Sequence, residues 1–218
     1  MTKAPRALTR QALHHAAGEL ASRDAVLAGV RERLGAPPMW GRRPGFATLV
    51  RIILEQQVSL AAARTLYRRL DTHLGGLTPE RVAASSTSSL REFGLTRQKA
   101  AYCHGLALRV QDGRLDLAAA ARGPDEAGRS ALLAVPGLGP WSVDIYYLMA
   151  LRRPDVWPTG DLALAVAIRQ LKRMRRLPTA DEQCRLARRW APWRSVAARM
   201  LWAHYLEARG QYSADPGP

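Results

Sequence analysis

The chain has 218 residues, 47% of them hydrophobic and 23% charged, which fits one large domain or two small interlocked ones and excludes a multi-enzyme. Lysine and arginine number 33 against 18 acidic residues, a formal charge of +15, so a polyanionic partner or a broadly solvated basic surface has to absorb the excess. Two cysteines, Cys103 and Cys184, exclude a four-thiolate iron–sulfur cluster, a four-cysteine zinc site and a disulfide framework.

The pattern is helical nearly throughout. Ser22-Arg23-Asp24 opens a segment with Val26, Leu27, Val30 and Leu34 at helical spacing, which Gly35 closes. Pro44 suits the first turn of the next helix, whose buried face is Phe46, Leu49, Val50, Ile53 and Leu54. A bend near Gln56-Gln57-Val58-Ser59 leads into a third helix through Leu60, Leu66 and Leu70 to Gly75-Gly76. Thr78-Pro79-Glu80 and Thr87-Ser88-Ser89 cap two short helices, and Thr96 begins one that runs to about Gly113. Another runs from about Pro124 to Leu133, turns through Val135-Pro136-Gly137-Leu138-Gly139-Pro140, and restarts at Trp141. A loop from Arg153 to Gly160 precedes three more helices. The second has a capping box, Thr179-Ala180-Asp181-Glu182, and the last starts at Pro192. No run alternates apolar and β-branched residues with polar ones, so the expected fold is all-α. Residues 213–218 read as a flexible tail.

No stretch reaches the roughly 18 to 20 apolar residues of a membrane span, and Met1-Thr2-Lys3-Ala4-Pro5-Arg6 has no apolar h-region behind it. A cytoplasmic protein is expected. Only Lys3, Lys99 and Lys172 are lysines, leaving thirty arginines, so amine chemistry has few candidates. The arginines are scattered through the helices, with clusters at Arg42-Arg43, Arg68-Arg69, Arg152-Arg153, Arg173 to Arg176 and Arg188-Arg189.

The segment Leu132 to Asp161 carries the most information. Two helices joined by Pro136-Gly137-Leu138-Gly139-Pro140 form a hairpin whose glycines permit positive φ and close approach. Amides without an intrahelical partner point at whatever anion sits there, and a DNA phosphate fits. A tight helix–helix turn with no ligand is the plainer alternative.

Three blocks together resemble the helix-hairpin-helix (HhH-GPD) DNA glycosylases, and within them the alkylated-base branch typified by 3-methyladenine DNA glycosylase II. They are Ile53-Leu54-Glu55-Gln56-Gln57-Val58-Ser59, the hairpin through Asp161, and Arg189-Trp190-Ala191-Pro192-Trp193-Arg194-Ser195 with Trp202 downstream. The likeness covers about residues 40 to 207. It implies one compact glycosylase domain over 1–218, with a hairpin-bearing helical subdomain at 46–151, a second at 1–45 plus 152–207, and DNA bound across a cleft between them. With the Gln56-Gln57 block so near the start, a compact version without the additional N-terminal α/β domain of the best-known bacterial relative is expected.

The resemblance makes Asp161 the catalytic aspartate. An Asp before Leu162-Ala163-Leu164 also reads as a helix N-cap, and both readings hold together. The helix dipole favours a negative charge there, which suits a group that stabilises cationic character on a sugar as an N-glycosidic bond breaks. Bifunctional relatives place a lysine where this chain has Trp141, so the resemblance implies a monofunctional glycosylase without lyase activity. The resemblance further implies action on double-stranded DNA containing damaged bases, as a monomer, in a bacterial cytoplasm and on the nucleoid.

The target nucleotide has to leave the stack, and the resemblance puts the wedge that fills the hole at Gln57, with Gln56 beside it. A polar bend between helices is the plain alternative. The pocket for a cationic base should be aromatic. Trp141 and Trp202 match family positions, and Trp40 and Tyr146 are wall candidates on position. Ile145 and Leu162 stand where the best-known bacterial relative has tyrosines. Trp157, Trp190 and Trp193 read as core.

The resemblance requires no cofactor. Backbone carbonyls of Leu133, Val135 and Leu138 match positions through which related hairpins hold a monovalent or other hard cation. His14, His15, His73, His104 and His204 lack ligand spacing. Asp144 is the alternative acid, its simpler reading an arginine-paired helix carboxylate, and Glu55 is treated alike. A non-catalytic hairpin module, or a related glycosylase for mismatched, oxidised or deaminated bases, are the other functional readings. The residues are compatible with 3-methyladenine, 7-methylguanine, hypoxanthine and ethenoadenine alike.

Overall fold

A computed structural model describes residues 7–213; among them every regular element is a helix and no strand occurs. Apart from Ser213, the expected tail at 213–218 lies outside the described residues. The chain divides into two compact units. One is Arg42–Tyr146, and the other joins the described residues up to Gly41 to those from Tyr147 onward.

The second unit begins with α1 (Arg10–Arg23), capped by the Thr9 hydroxyl on the Ala12 amide at 3.1 Å. Sequence reading did not single this helix out, because two of its four buried residues are Ala16 and Ala17, too small to mark a face. Helix α2 (Ala25–Leu34) starts as expected. Asp24 Oδ1 accepts the amides of Val26 and Leu27 at 3.0 and 3.4 Å, and Gly35 ends the helix at φ 73°.

In the Arg42–Tyr146 unit, α3 (Phe46–Glu55) is the centre of the core: Leu49, Val50, Ile52, Ile53 and Leu54 are fully buried. Pro44 does not occupy its first turn as expected. Gly45, at φ 132°, is the N-cap, and the proline stands outside the helix. Helix α4 (Leu60–Leu74) runs from a Ser59 cap to left-handed Gly75, and α5 (Pro79–Ala84) from a Thr78 cap. Ser86, one residue ahead of the expected position, caps α6 (Thr87–Glu92). Thr96 caps α7 (Arg97–Gln111), which packs on α3. Helix α8 (Leu117–Arg122), on an Asp116 cap, was not anticipated, since one turn of alanines leaves no periodic signal. Helices α9 (Asp125–Leu133) and α10 (Pro140–Ile145) flank the hairpin, and α10 runs on as a π turn over Tyr146–Ala150.

Returning to the second unit, α11 (Leu162–Leu171) opens on Asp161, and α12 (Ala180–Ala187) carries the expected Thr179–Glu182 capping box. A 3-10 turn at Arg188–Trp190 and a cis Ala191–Pro192 peptide precede α13 (Arg194–Glu207). The last helix therefore starts at Arg194, two residues beyond the expected Pro192. It is buried from Ser195 to Ala203 and packs against α1, α2 and α11.

Asp24 and Arg199 are among the polar groups built into this second core. Asp24 Oδ2 accepts the Trp190 indole N–H at 2.9 Å while Oδ1 caps α2. Arg199, fully buried, donates through Nη2 to the carbonyls of Trp40 and Leu148 at 2.8 and 3.2 Å. With no carboxylate to offset its burial, the guanidinium is pushed down to about 9.

Asp24→Ala removes a helix cap and strands a buried indole donor at once. It is expected to lower the unfolding free energy by about 2 to 4 kcal/mol, measured by urea denaturation.

Candidate active site

Asp161 sits at the end of an irregular stretch, residues 151–160, that two consecutive side chains at the start of α13 hold in place. The Ser195 hydroxyl donates to the Arg153 carbonyl at 2.7 Å and accepts the Val156 amide at 3.0 Å, and the Ser195 amide donates to Pro154 at 3.0 Å. Arg194 grips Asp155 through both carboxylate oxygens, at 2.7 and 2.9 Å. Gly160 turns the chain at φ 78°, and the Asp161 amide donates back to Pro158 at 3.2 Å. Nearby, Thr159 Oγ1 lies 3.6 Å from Sγ of the half-buried Cys184 on α12.

Asp161 itself is 8% exposed. Its Oδ1 accepts the Leu164 amide at 2.9 Å, the N-cap bond, and the Trp202 indole N–H at 3.2 Å. Two donors from different helices fix the rotamer, and the α11 dipole favours the negative charge. Such a carboxylate is preorganised to face a developing cation. Trp40, half-buried, is tied to the same unit through its carbonyl by Arg199.

The hairpin lies in the other unit. Val135 and Leu138 bury their side chains and anchor the turn, while Pro136, Gly139 and Pro140 are exposed. Gly137 adopts φ 93°, and a Cβ there would come within 2.4 Å of the Tyr102 ring. Only glycine fits, on conformation and space together. Tyr102 is in turn held by Gln98 Nε2, which donates to its hydroxyl at 2.7 Å. Pro140 occupies the first turn of α10 behind the Gly139 cap, and Trp141 follows half-buried. The Val135 carbonyl accepts the Leu138 amide at 3.0 Å, and Leu133 is exposed.

Gln56 and Gln57, adjacent and of one type, do different things. Gln56 Nε2 donates to the Gly137 carbonyl and to Ser142 Oγ at 2.8 and 2.9 Å, so it ties the α3–α4 bend to the hairpin and is not free to act as a wedge. Gln57 is exposed, at φ 57°. Lys99 Nζ donates to the carbonyls of Leu54 and Gln56 at 2.8 and 2.9 Å, closing the end of α3 beneath this bend. Burial lowers the Lys99 pKa from the ordinary lysine value.

Tyr146 is a correction. It is 1% exposed and its hydroxyl accepts the Gly45 amide at 3.0 Å, so it is core and presents no stacking face. Burial raises its pKa. Asp144 pairs with Arg129, and Glu55 accepts both Arg42 and Arg51, at 2.8 and 3.2 Å, so both follow the arginine-paired reading. Ile145 is buried whereas Leu162 is 65% exposed beside Asp161. Trp157 and Trp190 form a core pair, 5.3 Å between ring centroids, and half-buried Trp193 donates to Glu19. The roles of Ser195, Arg194, Arg199 and Lys99 are not legible in the sequence, because each acts on backbone or a carboxylate about 40 or more residues away. Three His, Cys, Asp or Glu side chains gather nowhere among the described residues.

The sequence matches the model of the HhH-GPD superfamily of base excision DNA repair proteins over residues 50–192. It is 29% identical to DNA-3-methyladenine glycosylase 2 of Escherichia coli over 194 residues, covering 81% of this chain and 65% of that protein. A DNA-3-methyladenine glycosylase of Bacillus subtilis is 27% identical over 162 residues, covering 69% of this chain and 54% of its own length. The chain thus spans between half and two thirds of these two relatives. The fold is similar to that of Schizosaccharomyces pombe 3-methyladenine DNA glycosylase in complex with abasic DNA, with a TM-score of 0.80 at 23% identity, covering 91% of this chain and 99% of that one.

Gly137→Ala is expected to lower the unfolding free energy by about 2 to 4 kcal/mol, through the left-handed φ and the collision with Tyr102. Pairing it with Tyr102→Ala should relieve the ring's share of the collision, leaving the Tyr102 Cβ at 2.8 Å and the backbone strain, a partial recovery that a urea-denaturation double-mutant cycle resolves.

Proposed function

Since the chain belongs to the HhH-GPD superfamily of base excision DNA repair proteins, we propose that it is a monofunctional DNA glycosylase that releases alkylated purines, of the 3-methyladenine and 7-methylguanine type, from duplex DNA. The observation that carries this reading is the Asp161 carboxylate, held at the head of α11 by the Leu164 amide and the Trp202 indole.

Breaking the N-glycosidic bond sends its electron pair to the base and leaves oxocarbenium character on the sugar. An alkylated purine is already cationic, so it leaves as a neutral base and needs little general-acid help. Asp161 stabilises the sugar cation and orients a water whose oxygen forms the new bond to the anomeric carbon. The proton of that water passes to Asp161 or to solvent. Trp202 and Trp40 supply aromatic faces in the Asp161 unit, suited to a cationic base, and Trp141 is a further aromatic candidate beside the hairpin.

The hairpin, Pro136 to Pro140, is the phosphate grip. By resemblance, the carbonyls of Leu133, Val135 and Leu138 are the candidate ligands there; three neutral oxygens would suit a hard, weakly charged cation that keeps part of its water, the Val135 oxygen also accepting the Leu138 amide. Such an ion would add positive charge beside a phosphate. Gln57 is the wedge, exposed in a left-handed conformation at the tip of the bend, with Gln56 fixing its base.

Lyase chemistry needs a free amine as nucleophile. Lys99 is buried with its ammonium on two carbonyls, Lys172 stands at the end of α11, and Trp141 occupies the position that the resemblance gives to the lysine of bifunctional enzymes.

Asp161→Asn keeps an N-cap and an acceptor for Trp202, so fold and DNA affinity should persist while base release falls about a hundredfold or more. The measurement is chromatography of bases freed from methylated duplex DNA. Full activity in the variant would remove Asp161 from the mechanism, and salt-sensitive binding without any release by wild type would return the protein to the non-catalytic reading. Borohydride should trap no covalent DNA adduct with wild type, and the abasic product strand should stay unnicked; a trapped adduct would overturn the monofunctional assignment.

A further inference from the structure

Helix α4 keeps an unneutralised basic ridge beside the Gln57 bend. Of its fifteen residues only Ala63 and Leu70 are buried. Leu60, 59% exposed, begins a line that continues at spacings of four through Arg64 and Arg68, both exposed, with exposed Arg69 alongside. No acidic residue occurs from Leu60 to Leu70. Neither Arg64 nor Arg68 has a carboxylate partner among the described residues, whereas Arg42, Arg51, Arg129, Arg176 and Arg194 are all paired.

Like charges four residues apart weaken a helix, and a glutamate between such positions would strengthen it. The ridge therefore gains nothing for the fold by its sequence, and its charge is available to a ligand from outside. A row of guanidinium groups one helical turn apart suits a row of phosphates, which each can bind through two parallel hydrogen bonds. The ridge starts three residues after Gln57, in the unit that also carries the hairpin. Val58, 46% exposed, and Leu60 form an apolar rim where it meets the bend.

We propose that Arg64 and Arg68 of α4 form a second phosphate grip, separate from the hairpin, that holds the DNA backbone next to the nucleotide step entered by Gln57. This rests on the reading of the protein as a DNA-acting enzyme. The grip contributes affinity without base recognition, and each arginine that neutralises a phosphate releases condensed counterions.

The test is fluorescence anisotropy with a short undamaged duplex at salt concentrations from about 50 to 200 mM, using wild type, Arg64→Gln, Arg68→Gln, the double variant, and Arg173→Gln/Arg175→Gln as a control pair on exposed arginines of the other unit. Each α4 substitution should make the slope of log affinity against log salt shallower by about one, and the double variant by about two. The control pair should leave the slope unchanged. Circular dichroism and thermal unfolding should match wild type or show slightly greater stability once the like charges are gone. An unchanged slope in the α4 variants, or an equal loss in the control pair, would overturn the proposal. Base release from methylated DNA by wild type is measured alongside. If it is absent while the α4 slopes still change, the glycosylase reading fails and the phosphate grip stands.

Discussion

The Asp161 unit depends on a helix that has almost no solvent side. Over nine consecutive residues α13 is buried, and nearly every polar group it carries inward is spent on holding another part of the chain. Ser195 and Arg194 fasten the irregular residues 153–156, Arg199 takes the carbonyls of Trp40 and Leu148, and Trp202 reaches Asp161. Irregular backbone has to satisfy its amides and carbonyls somewhere. Here it does so on a rigid, buried rod, so the carboxylate at the end of the loop inherits the order of a core helix. An exposed loop would leave the same carboxylate to sample several rotamers and lose much of the benefit of preorganisation.

The hairpin unit reaches a comparable order by a different device. Its turn is closed by a glycine packed on a tyrosine ring, and the bend after α3 is tied to that turn by one glutamine amide. Lys99 completes the arrangement from below by accepting desolvation of its ammonium in exchange for two strong carbonyl contacts. A buried cation without a carboxylate recurs in Arg199. In both cases the charge is met by backbone carbonyls, near the end of α3 for Lys99 and in the irregular segment at Trp40 and the π turn at Leu148 for Arg199.

Much of the helical layout was legible because caps and turn glycines are local. Asp24, Ser59, Thr78, Thr96, Asp161 and Thr179 each stand where their side chains cap a helix. Helices α1 and α8 escaped because alanine makes a stable helix without marking a face. At the site, the hairpin glycines and the N-cap position of Asp161 were legible locally, and the resemblance singled out Gln57, but the hydrogen bonds that fix Gln56 were not legible. These adjacent identical residues differ in burial and backbone conformation, and the partners of the Gln56 side chain lie about 80 residues away. Tyr146 failed as a wall residue for a related reason, since an aromatic on a helix carries no sign of whether its ring faces a pocket or the core.

The contact between Thr159 and Cys184 has a practical side. Cys103 is fully buried, and desolvation pushes its thiol up to about 12, so it is closed to reagents both sterically and by protonation. Cys184 is half-buried and stands against the residue two positions before Asp161. Of the two thiols, the half-buried one is therefore the attachment point for a thiol-directed dye or spin label, and it adjoins the loop whose order the carboxylate relies on. Spectroscopy of that loop needs no cysteine to be engineered in or out.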